Sequence, residues 1–133
     1  LPGVFACGNV VHVHDLVDFV TAESTRAGVA AAAYVLHGDP ENATVLELKN
    51  GDGVTYTVPQ RLRPAGIGKA AEIFFRVNRV CGTSAISVTA DGRELARFKR
   101  EHLAPGEMEH IALPRVLLDK APVDELTIEI EEA

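Results

Sequence analysis

The sequence predicts an α+β fold in two parts: a short strand with one long helix, then an all-β antiparallel sandwich of about seven strands. Two observations carry this. Apolar residues recur at three- and four-residue spacing over residues 16–36, and after residue 39 that periodicity gives way to short β-type runs separated by Gly, Pro and Asp. The predicted division is therefore a segment of residues 1–38 and a β domain of residues 39–133. With 133 residues, 47% hydrophobic and 24% charged, the chain suffices for one compact domain or a small domain with an appendage.

Residues 4–7 are small or apolar and β-compatible, and Gly8-Asn9 breaks the run, as in a buried strand ending in a tight turn. In the helix that follows, Leu16, Val17, Phe19, Val20, Ala27, Ala30, Ala31, Tyr34 and Val35 mark a face to be buried. Asp15 is the predicted N-cap and Asp18 meets the positive end of the helix dipole, while His37-Gly38 and Pro40 supply the stop. The turn signals around Asp39-Pro40-Glu41-Asn42 mark the domain boundary.

Strands are predicted at 44–48, 54–58, 72–80, 85–89, 94–99, 109–113 and 125–131. Asn50-Gly51-Asp52-Gly53 and Ala90-Asp91-Gly92-Arg93 each read as a hairpin turn, and residues 103–107, with Pro105-Gly106, as an inter-strand loop. In Leu126-Thr127-Ile128-Glu129-Ile130-Glu131 apolar and polar residues alternate, so one face needs a cover. Two antiparallel sheets packed face to face, as in immunoglobulin-like sandwiches, satisfy that need, and a small barrel is the second arrangement that does.

Charge and composition narrow the function classes. No apolar run approaches the ~20 residues needed to cross a bilayer, so no membrane span is expected. Thirteen Lys and Arg against 19 Asp and Glu leave a net charge of −6, which opposes attraction to phosphate backbones and argues against nucleic acid as a partner. Cys7 and Cys81 form no CxxC pair, which points to a reducing cytoplasm. The chain opens Leu1-Pro2-Gly3 with no initiator Met and reads as a piece of a longer protein.

The densest polar constellation is Gly8-Asn9 followed by His12, His14, Asp15 and Asp18. Four chemistries compete for it, beside the plain role of capping the helix and lining a turn. His12 and His14 share a face if extended, but with Asp15 and Asp18 they match no recognised ligand spacing, so no metal ligand is assigned. A His beside a carboxylate suits acid/base work. Cys7 as nucleophile is disfavoured by its place at the end of an apolar strand, and Cys81 reads as a core residue. The fourth chemistry is ligand binding at a helix N-terminus, where free N–H groups and the dipole attract negative charge.

Gly3, Phe5, Ala6 and Gly8, followed by a polar turn and an Ala/Gly-rich helix, resemble the C-terminal flavin motif G-x-F-A-x-G-D of the pyridine nucleotide-disulfide oxidoreductases, the thioredoxin reductase-like superfamily. The run from Gly8 to Val20 is similar to a bacterial branch of FAD-dependent NAD(P)-linked enzymes with an extra C-terminal β domain. The resemblance implies that the acidic position, here Asn9, bonds the ribityl chain of FAD, and that the helix points its N-terminus at the flavin pyrimidine edge. It assigns Gly8, Asn9, His12, His14, Asp15 and Leu16 to cofactor binding, with no catalytic residue. Asn9 keeps an accepting oxygen but lacks the charge. No GxGxxG occurs in the chain, so the nucleotide-binding core is missing and the fragment alone is expected to be inactive and to bind FAD weakly.

The implied partners are the rest of the parent chain, NAD(P)H in that parent, and a second copy or a redox partner subunit. The contrasting function is a non-catalytic immunoglobulin-like binding module whose helix packs on its own sheet. Arg61, Arg63, Arg76, Arg79, Arg97 and Arg100 read either as a positive patch or as solvated strand faces. His102 and His110 border a loop, and Phe74-Phe75 should point to opposite faces of a strand, one into the core and one toward an interface.

Overall fold

A computed structural model describes residues 1–39, 44–120 and 124–133. The expected stop at Pro40 and the boundary at residues 40–42 lie outside the described residues. The chain forms two compact units, Leu1–Ala43 and Thr44–Ala133, each with its own internal contacts.

The first unit is an extended segment, a 3-10 turn at Gly8–Val10 and the helix α1, Val17–His37. The strand expected at residues 4–7 is not one: the chain is extended there, with Cys7 at φ −155° and ψ 168°, but no ladder partner exists for it among the described residues. Extended backbone becomes a strand only when a neighbour takes its N–H and C=O groups. Helix α1 starts at Val17, so its N-cap is Leu16 rather than Asp15, and no side chain caps it. Asp18 lies in the first turn, and the Gly38 N–H closes the far end on the Tyr34 carbonyl at 2.8 Å.

No residue of α1 is fully buried. Phe19, Val20, Glu23, Ala27, Ala31 and Tyr34 form a half-buried stripe, because the extended segment covers one side of the helix. The remainder is open, including Val17 at 74%, Val29 at 67% and Val35 at 81% exposure. A helix apolar on most sides is normally buried on most sides.

The second unit has eight strands among the described residues: β1 Leu46–Asn50, β2 Val54–Val58, β3 Arg61–Leu62, β4 Ala70–Val77, β5 Ser84–Ala90, β6 Arg93–Arg100, β7 Glu109–Pro114 and β8 Glu125–Glu132. The short helix α2, Arg115–Lys120, precedes β8. All seven predicted strands have counterparts here, and β3 is the addition. The strands form a five-stranded sheet in the order β3-β1-β8-β5-β6 and a three-stranded sheet in the order β2-β4-β7.

Both sheets contribute to one hydrophobic core. Leu48, Ile86, Val88, Leu126, Ile128 and Ile130 enter it from the larger sheet, and Val54, Ile73, Phe75, Val77, Ile111 and Leu113 from the smaller. Strand β5 is buried on both faces: Ile86 and Val88 face the core, while the small residues Ala85 and Ser87 alternate with them, opposite Lys99 and Arg97 of β6 and Glu131 and Glu129 of β8. Ser87 is fully buried and donates its hydroxyl to Glu94 at 2.9 Å.

Two expectations need correction. The pairing is not wholly antiparallel, because β1 runs parallel to β8, Glu47 opposite Glu125 through Asn50 opposite Ile128. Parallel pairing requires a long crossover, which the whole of the intervening chain supplies. Nor do residues 50–53 make a hairpin: β1 pairs with β3 and β8, β2 pairs with β4, and the turn carries the chain from one sheet to the other.

That turn is held to both sheets. The Gly51 N–H donates to Ile128 O at 2.7 Å, the Ile130 N–H to Asp52 O at 2.8 Å, and the Asn78 N–H to Gly53 O at 2.9 Å. Gly53 has φ +83°, and a Cβ there would stand 2.9 Å from Ile130 Cβ. The other predicted hairpin turn does join paired strands, with Ala90 opposite Arg93 and Asp91 and Gly92 at positive φ.

Candidate functional site

The constellation of residues 8–16 folds back on α1. Gly8 has φ +73°, a conformation that costs a residue with a Cβ and lets the chain reverse into the 3-10 turn. Its N–H donates to Glu23 Oε2 at 3.1 Å. Upstream, Gly3 lies against Tyr34, where a Cβ would stand 3.1 Å from Cε1, and Phe5 meets the same ring edge-on with centroids 5.9 Å apart. The matched motif residues Gly3, Phe5 and Gly8 thus all serve the docking of the extended segment on the helix.

His12 and His14 turn inward, at 7% and 8% exposure. Their rings stand edge to face with centroids 4.1 Å apart. His14 Nε2 contacts Glu23 Oε2, so a single carboxylate oxygen binds both this imidazole and the Gly8 N–H. The His14 side chain is fully enclosed and that of Glu23 is 12% exposed. One donor atom from each of His12, His14 and Glu23 lies within 4.8 Å of the others.

The other predicted members of the constellation face outward. Asn9, in the 3-10 turn, and Asp15 and Leu16, directly before α1, are exposed. The six residues therefore divide into an inner set, Gly8, His12 and His14, and an outer set, Asn9, Asp15 and Leu16. Glu23 was not legible as a partner. It lies nine residues beyond His14, where its sequence signal is only that of a charge interrupting an apolar helix face; in fact it sits on the half-buried stripe.

The remaining candidates lie in the second unit. Burial pushes the Cys81 thiol above its usual range, and its contact with the Glu132 carboxylate pushes the same way. That is the environment of an inert core cysteine rather than a nucleophile. Both cysteines are free thiols. The basic residues meet acids: Arg79 bonds Asp52 at 2.8 Å and Glu132 at 3.0 Å, Arg97 bonds Glu94 and Glu131, and Arg100 bonds Glu109 at 2.9 Å. Arg79 and Cys81 both hold the Glu132 carboxyl below the ordinary carboxylate range.

Phe74 and Phe75 do point to opposite faces, but neither is an open contact. Phe75 is in the core, and Phe74, 2% exposed, is covered by the His110 ring stacked on it from β7 at 4.6 Å. No helix among the described residues is long and apolar enough to cross a membrane. Comparison of the chain with protein-family models, with curated proteins and with solved structures finds no match.

Proposed function

We propose that the chain is the C-terminal part of an FAD-dependent NAD(P)H oxidoreductase of the cytoplasm. In this reading the first unit completes the flavin site, and the β unit, a sandwich of immunoglobulin-like type, makes intramolecular or subunit contacts. One observation carries it: the motif Gly3, Phe5, Ala6, Gly8 leads through a left-handed turn to a helix whose N-cap, Leu16, makes no side-chain cap. Asp15 and Leu16, directly before that helix start, are exposed, and so is Asn9 in the 3-10 turn.

These residues fit the group. An exposed amide at Asn9 can accept a hydrogen bond from a ribityl hydroxyl and donate one in return. The N-terminal end of the helix, with the dipole behind it, suits negative charge at the pyrimidine edge of a flavin. When bound, FAD supplies electron transfer between NAD(P)H and an acceptor. Gly8, His12 and His14 hold the turn from behind and so fix where Asn9 and the helix start stand. The apolar surface left open on Val17, Val29, Val35 and Leu36 is the kind that the body of a larger domain covers.

The upstream coding sequence and a visible spectrum test this. A dinucleotide fingerprint ahead of Leu1 and close to one equivalent of flavin in the full-length polypeptide are expected. A full-length polypeptide that stays colourless after reconstitution with FAD overturns the reading and favours a binding module without a cofactor. Residues 1–133 alone should take up FAD only weakly.

A further inference from the structure

We propose that His12, His14 and Glu23 form a binding site for a divalent first-row transition cation, with Zn²⁺ the ion that fits best. The donor set is two imidazoles and a carboxylate, and its three donor atoms already lie within 4.8 Å of one another. Ligand atoms on a tetrahedral zinc ion stand about 3.3 Å apart, as follows from bonds of ~2.0–2.1 Å. The bound on their separation therefore exceeds the spacing such an ion needs by about 1.5 Å.

Two features separate this cluster from a chance meeting of polar groups. The first is enclosure: His12 and His14 are buried, and an ion among them would be bound in a medium of low dielectric, where charge interactions are strong. The second is support. The Gly8 N–H holds Glu23 Oε2 at 3.1 Å, the kind of outer contact that orients a ligating carboxylate. His12 and His14 come from the loop and Glu23 from the helix, so an ion would clamp the loop onto α1.

The choice of ion follows from the donors. Two nitrogens with one oxygen suit zinc and its neighbours over calcium or magnesium, which prefer oxygen alone. Three protein donors leave a position for water or a further ligand. The site shares its loop with the proposed flavin site, but metal uptake by the chain is read without flavin, so the two readings fail separately.

Titrating the purified chain with zinc sulfate at neutral pH, followed by calorimetry, tests the assignment. One saturable equivalent is expected. His12→Gln and Glu23→Gln should each weaken uptake by at least ~10–100-fold, the loss seen even when only an outer-shell partner is removed. His102→Gln, at an exposed position of the other unit, should leave it unchanged. Absence of a saturable equivalent in the unaltered chain overturns the proposal, and so does uptake that survives both substitutions. Because Glu23 also bonds Gly8 and His14, its variant is read only if the far-UV helical signal persists without metal; otherwise His12→Gln decides.

Discussion

Gly53→Ala is the substitution for which the fold makes the most specific demand. The residue sits at φ +83° in the turn that passes from β1 to β2, and an added Cβ would stand 2.9 Å from both Cβ and Cγ1 of Ile130. Left-handed backbone costs a residue with a Cβ about 1–2 kcal/mol. The steric cost comes on top, since carbons in good contact are about 3.5–4.0 Å apart. Ile130 cannot yield cheaply: it is 3% exposed, β-branched, and held in β8 between Ile86 of β5 and the Asp52 carbonyl that its N–H meets. Overpacking of that kind costs about 1–3 kcal/mol. The two effects sum to about 2–5 kcal/mol, against the roughly 5–15 kcal/mol that stabilises a typical domain. Gly106→Ala is the control, at a position with no heavy atom within 4 Å of the added Cβ and no left-handed backbone; it should fall within about 0.5 kcal/mol of the parent. Urea unfolding followed by circular dichroism reads both, and Gly53→Ala should lower the midpoint by about 1 M or more for an m-value near 2 kcal/mol/M. A Gly53→Ala midpoint matching the control would refute the placement of this turn against β8.

Two further outcomes follow from the core and its cysteine. Phe75→Ala empties a fully buried site between the sheets and should cost about 3–5 kcal/mol in the same unfolding assay, and an unshifted midpoint would remove Phe75 from the core. Because burial favours the neutral Cys81 thiol, iodoacetamide at roughly pH 8 should modify the partly exposed Cys7 well before Cys81 in the native chain, and both alike in denaturant. The sign for stability is fixed as well: the Cys81 contribution is complete below the ordinary thiol range and declines as pH rises through that range toward the raised folded value. Equal native labelling rates would contradict both statements.

Local pattern made the strands legible and left their partners hidden. Alternation placed residues 125–131 on a strand, yet nothing in that alternation distinguishes a strand at an edge from one that lies between β1 and β5. Residues 50–53 and 90–93 carry the same kind of turn chemistry, and only the second joins neighbours in a sheet. The difference lies in what receives the turn, since Gly51 and Asp52 bond to β8 far along the chain. Strand β3 and helix α2, two and six residues long, are too short for any period to register. At the site, sequence proximity found the histidines but not the carboxylate they meet. His12 and His14 advertised themselves by adjacency; Glu23 joined them because the helix turns its side toward the returning loop.

The position of β8 has a consequence for how the second unit is made. Its larger sheet has the last strand of the unit in the middle, hydrogen-bonded to the first strand on one side and to β5 on the other. During synthesis the ribosome therefore releases β1, β3, β5 and β6 with a gap between them that nothing yet fills. Until residues 125–132 emerge, the inner edges of β1 and β5 present unpaired peptide groups, the condition in which nascent chains associate with one another. Folding of this unit is consequently late and dominated by distant pairing, which predicts a slow approach to the native state and a need for protection while the chain is still growing.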